Sequence, residues 1–377
     1  MNKKKASFFQ RYLLPGFIFQ SVVIAGGYGT GREIVEFFLN YGPVPGLLSL
    51  SLIVTAIWST VCILTYEFSR VFKSFEYRQF FKKLIGRAWF LFEITYIIHL
   101  LLVLAVIGAA AGTLLNETSS LPHEVGVIGI IGAIGFLVFR GSSAIEKALS
   151  AWSFVLYLTY GVLFVWSFLL FKNEIISAFS QSNFVSGWAI GGMKYATYSL
   201  SVIPAVIFSI RHINTRREAV IAGFLTGPIG VIPAFLFYFA VAGHYPGILS
   251  RPVPVNFILE TLGSPVFQIV FQIVLFGTLI ESGAGMIHAV NERITSTLNE
   301  KRIDTSNWIR PVSATILLVI ALLLSKFGVI ELIAKGYGTL AWFFLFIFVI
   351  PIFTVGIWKI IREKNKTNYS RTTLHET

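Results

Sequence analysis

The stretch AGGYGTGREIVEFF, Ala25 to Phe38, decides how the chain is read. Gly26, Gly27, Gly29 and Gly31 place four glycines within six residues, about halfway along an apolar segment bounded by Arg11 and Tyr41. Each glycine costs about 1 kcal/mol in a helix relative to alanine. The helix is predicted to unwind there. In a membrane such a break is tolerated only where protein covers it or where it lines a cavity.

A second stretch has the same character. YATYSLSVIPAVI, Tyr195 to Ile207, lies about halfway between Trp188 and Arg211. Pro204 removes a backbone donor, and Ser199 and Ser201 carry hydroxyls that bond freed carbonyls. Taken alone, each stretch has a plainer explanation, since glycine also allows close helix packing and proline also merely kinks. As a pair they say more, because they lie five apolar segments apart.

Working outward, the 377 residues are 55% hydrophobic and 13% charged, with a mean hydropathy of +0.75. A soluble domain does not need so apolar a chain. Ten segments are long enough for a hydrocarbon core of roughly 30 Å. They run from about 12 to 39, 44 to 66, 88 to 115, 124 to 140, 146 to 171, 188 to 210, 217 to 241, 265 to 290, 309 to 325 and 328 to 358. They lack the alternation of barrel strands, so helices are expected: an all-α polytopic membrane protein. The amino-terminal run after Lys3 to Lys5 imitates a secretory signal, but Pro15, Gly16 and the continuation into the glycine cluster mark it as an uncleaved first span.

Of the 30 Lys and Arg, 24 fall at the amino terminus, in alternate loops and in the tail after Ile357. The opposite loops hold Lys172, Arg251 and Lys326. By the positive-inside rule both termini are cytoplasmic. The same distribution explains the net charge of +12 without any nucleic-acid partner. In the loop from 67 to 87, Phe68, Val71, Phe72 and Phe75 recur at helical spacing among basic residues, which reads as an amphipathic interfacial helix or as a plain loop that sets topology. Cys62 lies within a span without a disulfide partner and is expected simply to pack.

The two broken segments open two halves of five spans with opposite orientation, which is the pattern of an inverted repeat. One transmembrane domain over 1–377 is expected, with repeats at about 12–171 and 188–358 and a tail at 359–377. Here the chain resembles the LeuT-type transporters of the amino acid, polyamine and organocation superfamily, and within them the YkvI family of bacterial membrane proteins. The resemblance rests on AGGYGTGREIVEFF, on YATYSLSVIPAVI with RHINTRREAVIAG after it, and on FGTLIESGAGMIHAVNERI, Phe276 to Ile294. It implies a LeuT-like fold, a solute site at the breaks of spans 1 and 6, and a coupling cation between span 1 carbonyls and span 8 oxygens. Arg32 and Glu33 directly after the glycine loop depart from the Gly-x-Gly of better-known carriers.

On these grounds the candidate solute contacts are Gly27, Tyr28, Gly29, Thr30, Gly31, Arg32, Tyr198, Ser199 and Ser201. Arg32 opens the second half-helix, whose amino terminus favours anions, so it reads either as a carboxylate anchor or as part of a self-neutralised cluster with Glu33 and Glu36. The candidate coupling group is Glu281 with Thr278, Ser282 and Gly26, for sodium or for a proton. The other reading of Glu281 is an ion pair with Arg32 or another base. Glu93, Lys194 and Glu331 are close enough to span ends to reach the interface. His99 and His288 lack ligand spacing for a metal and read as packed. The Pro-rich segment HYPGILSRPVPVNFILETLGSPV, His244 to Val266, is either a cap on an outer vestibule or a resting surface helix.

The chain carries no Walker A sequence and no GxSxG or HExxH. No enzyme and no organic cofactor are expected. What remains is a secondary transporter of a small solute, an amino acid or related compound, coupled to sodium or protons; the alternative is a transporter-like sensor that binds without transport.

Overall fold

The computed structural model describes residues 6–24, 27–140, 155, 158–300 and 308–373. Gly26, Lys147 and the start of the fifth expected span lie outside them. Among the described residues the chain is helical, with no strand.

The first span is split into α1 (Leu14–Val23) and α2 (Arg32–Phe37). Between them Gly27–Thr30 makes a single turn, and Gly31 takes a left-handed conformation at φ 81°. Only glycine fits easily there, and a Cβ on Gly31 would also sit 2.8 Å from the Phe237 ring. The following helices are α3 (Pro43–Phe72), α4 (Tyr77–Ile85), α5 (Trp89–Ser119), α6 (His123–Arg140), α7 (Leu158–Leu170) and α8 (Lys172–Ser180). The second half comprises α9 (Trp188–His212), α10 (Arg216–Ala242), α11 (Pro254–Leu262), α12 (Pro265–Glu300), α13 (Ile309–Ser325) and α14 (Gly328–Asn365). Helices therefore stand at each of the expected spans. Among the described residues six, with α4 and α5 counted as one continuous stretch, are by themselves long and apolar enough to cross a bilayer. The others are shortened by the glycine break, by length or by undescribed residues.

In α9 the break is a tightening rather than an unwound loop. Pro204 has no N–H for the Leu200 carbonyl, and the Ile203 N–H takes that carbonyl instead. Leu200–Val202 becomes a 3-10 turn, and the helix reverts to 3-10 from Ile207 to His212. The broken elements are neighbours: α1 packs on Ile203–Val206, and α2 on Trp188–Ser199.

The interfacial helix falls later than the aromatic spacing suggests. Phe68 and Phe72 finish α3, which Lys73 ends in a left-handed conformation with the Ser74 N–H returning to the Ser69 carbonyl. The amphipathic helix is α4, capped by Glu76 and anchored by buried Phe80, Phe81 and Leu84.

The basic loops meet at one end of the bundle. Arg11 pairs with Glu218 at 2.8 Å, Arg70 reaches the Asn214 carbonyl, Arg78 donates to Thr297, and Lys359 donates to the carbonyls of Lys83 and Leu84. We call this the terminal end. Cys62 is buried and unpaired.

Candidate solute site at two helix breaks

Glu33, in the first turn of α2, is buried, and its carboxylate accepts a 2.5 Å hydrogen bond from the Tyr198 hydroxyl. It also receives a bond from the backbone of Tyr28. Tyr198 lies in the last turn of the α-helical part of α9, two residues before its 3-10 segment, so this pair joins the two breaks.

The pair lies in the wall of a cavity of about 100 Å³, with Ser199, Ser201, His99, Tyr96, Tyr337 and apolar residues of α1, α5 and α9. The Tyr337 ring stacks at a tilt on Tyr198 with centroids 5.0 Å apart, and His99 lies 5.5 Å from Tyr337. Trp58 fixes the α9 backbone by donating to the Ala196 carbonyl at 3.1 Å.

Of the solute contacts expected from sequence, Tyr198, Ser199 and Ser201 line this cavity. Ser199 spends its proton on the Tyr195 carbonyl. The glycine loop, Gly27 to Gly31, lies beside it. The Gly29 carbonyl accepts from Tyr160, Thr30 is buried and bonds the Arg32 N–H, and Tyr28 faces a second, apolar cavity of about 350 Å³ between α1, α7 and α10. Arg32 points away from the central cavity. Its guanidinium binds Glu36 at 2.6 Å, the Leu249 carbonyl at 2.6 Å and the Arg251 carbonyl at 3.2 Å. The segment after α10 is thereby tied over α2, and Pro254 packs close to Gly31.

On α12, Leu275 touches Gly29. Thr278, Ser282 and Met286 continue one row at intervals of four, and Met286 reaches the cavity wall. Thr278 is buried with its hydroxyl on the Val274 carbonyl. Glu281 and Ser282 are half-buried. Arg32 pairs with Glu36, and no ion pair to Glu281 exists among the described residues.

A polar cluster lies beside Tyr96 of the cavity wall. Arg293 of α12 pairs with Glu93 at 2.7 Å, bonds the Tyr77 hydroxyl, and lies 4.8 Å from the ring of Tyr96. Glu93 thus reaches another helix rather than the interface, whereas Glu331 and Lys335 form an exposed pair.

Sequence reasoning passed over Glu33 as a neutralising neighbour of Arg32, His99 as packing, and Tyr337 altogether. Glu33 was visible as an ionisable group beside the glycine cluster, and His99 as one far from any span end. Tyr337 carried no local signal.

This geometry is that of the LeuT-type fold, which the chain shares with solved transporters. It superposes on MhsT, crystallised with L-phenylalanine, with a TM-score of 0.61 at 18% identity, covering 94% of this chain and 89% of that one. A variant of the Eremococcus coleocola manganese transporter gives 0.52 at 13% identity, covering 97% of both chains. In sequence the chain is similar to the membrane protein YkvI of Bacillus subtilis (strain 168), 22% identical over 296 residues, or 76% of this chain and 81% of that protein. No family model matches it. The chain is a multi-pass membrane protein, YkvI-like in sequence and LeuT-type in fold.

Proposed function

We propose that this chain is a secondary active transporter of a small organic solute, an amino acid or related compound, driven by a sodium or proton gradient. The observation that carries the reading is the Glu33–Tyr198 bond, which places a buried acid between two helix breaks in a cavity wall. A buried polar constellation at broken helices is how transporters of this architecture hold a solute away from bulk water. By analogy of fold, L-phenylalanine in MhsT supports the solute class, and the manganese transporter supports transport alone. The solute is assigned to Tyr198, Ser199 and Ser201, with the glycine loop Gly27 to Gly31, Tyr28, Thr30 and Arg32 supporting the first break. The coupling ion is assigned to Gly26, Thr278, Glu281 and Ser282. The two halves act as inverted repeats, and both termini are cytoplasmic.

The test is flux in liposomes reconstituted with the purified chain, with imposed sodium and proton gradients and candidate solutes. Accumulation that collapses with one gradient supports the proposal. Saturable binding with no flux under any gradient would show a sensor.

A further inference from the structure

The apolar face of α4 does not meet lipid. Phe80 packs edge-on against Phe68, Phe81 stacks on Phe92 with centroids 3.6 Å apart, and both rings reach Phe348 of α14. An ordinary interfacial helix holds the membrane by burying that side in it. Here the side is taken by the protein.

What α4 leaves outside is basic. From Tyr77 to Trp89 the chain carries Arg78, Lys82, Lys83 and Arg87 and no Asp or Glu. Lys82, Lys83 and Arg87 are exposed, and among the described residues none of the three has a carboxylate partner, whereas Arg11, Arg70 and Arg293 at the same end each pair with a glutamate. The helix is held at both ends, by the bond between Tyr77 and Arg293 and by Lys359 on the carbonyls of Lys83 and Leu84. Its cations therefore stand on a fixed backbone.

Trp89 sets what they face. Arg78 and Lys82 lie 5.3 and 5.1 Å from its ring, at the first residue of α5. Directly after it Phe90, Leu91, Ile94 and Ile98 are exposed, and Phe90, Ile94 and Ile98 form one row at intervals of four. Tryptophan is enriched where headgroups give way to chains. Cations, an indole and then an exposed apolar row match the order of polarity along a phospholipid; a soluble anion would use only the cations.

We propose that α4 and the first turns of α5 bind an anionic phospholipid, its phosphate on Lys82 and Arg87 and its acyl chains along Phe90, Ile94 and Ile98. Lys83 donates to the Phe72 carbonyl at 2.5 Å and has two further donors for the headgroup. Phosphatidylcholine carries the same phosphate beside a quaternary ammonium, which these cations repel. The site is therefore selective for net negative charge, whether or not the chain transports.

The experiment is fluorescence energy transfer in phosphatidylcholine liposomes, from a donor on Gln79→Cys in the Cys62→Ala background of the full chain to acyl-labelled phosphatidylglycerol or phosphatidylcholine. Phosphatidylglycerol is expected to be enriched at α4 at least about fivefold over phosphatidylcholine, and the excess is expected to shrink as salt rises. Lys82→Gln combined with Arg87→Gln should remove the excess. Arg211→Gln combined with Arg216→Gln and Arg217→Gln, exposed cations around the turn from α9 to α10, should leave it. If the first combination does not insert, the comparison of the two lipids and its salt dependence with α4 unchanged still decide. Equal transfer to the two lipids overturns the proposal, as does equal loss with the two sets of variants. Loss of the excess to added inorganic phosphate also overturns it, since that marks a site for a soluble anion.

Discussion

The Tyr198 hydroxyl donates a 2.5 Å hydrogen bond to the Glu33 carboxylate, tying the first turn beyond one helix break to the last α-helical turn before the other. Neither break is stabilised by a regular ladder at that level. The bond therefore also fixes how α2 sits against α9. A hydrogen bond to a charged group contributes about 1.5–3 kcal/mol net.

Tyr198→Phe deletes that donor and keeps the ring. Thermal melting in detergent is expected to show a loss of about 2 kcal/mol. A double-mutant cycle with Glu33→Gln should return a coupling energy above about 1 kcal/mol. Additive effects would show that the two side chains act independently.

Gly31 and Gly338 separate backbone need from mere helix content. Gly31→Ala puts a side chain at φ 81° and 2.8 Å from Phe237, so a loss of at least about 2 kcal/mol is expected. Gly338 lies inside α14 with open space around its missing Cβ. Gly338→Ala is expected to gain up to about 1 kcal/mol. Equal melting shifts for the two variants would contradict the described break.

The breaks were legible because their causes are local: Gly31 needs a left-handed conformation and Pro204 lacks a donor, whatever surrounds them. The direction of Arg32 and Glu33 was not. Adjacent helical residues point about 100° apart, so one of them had to leave the cavity. Which one depended on the Leu249 and Arg251 carbonyls, more than 200 residues along the chain. The interfacial helix was misplaced for a similar reason, since Phe68 and Phe72 fit an amphipathic pattern equally well as the end of α3.

Arg293 and Glu93 pair beside Tyr96 of the cavity wall, with side chains 11% and 18% exposed. Removing one partner leaves the other nearly buried and uncompensated, a loss on the order of 3 kcal/mol. Arg293→Gln is expected to lower the melting temperature and to speed maleimide labelling of a cysteine at Ala205, in a Cys62→Ala background. Unchanged labelling would mean that the cluster does not guard the cavity.

Sidedness rests on the basic residues gathered at the terminal end. Cysteines at Asn2 and Asn116, each in the Cys62→Ala background, are to be probed on intact cells with an impermeant thiol reagent. Labelling is expected at Asn116 only. The reverse pattern would invert the topology.

Glu281 is half-buried on α12, six residues and therefore about 9 Å along the helix from Leu275, which touches Gly29. That position sets it almost two helical turns from that residue, beside Ser282 and within one turn of Thr278. Arg32 is engaged elsewhere, which removes the ion pair that would have made Glu281 purely structural. A carboxylate so placed can ligate sodium or carry a proton, whereas a glutamine of similar shape can neither hold the charge nor exchange the proton. Glu281→Gln is expected to abolish gradient-driven accumulation in liposomes while the protein remains folded and inserted. Solute binding should survive, because Glu33 and Tyr198 are untouched. If the variant still concentrates solute with an unchanged dependence on pH and sodium, Glu281 is not the coupling group. Loss of folded protein instead would assign it a structural role.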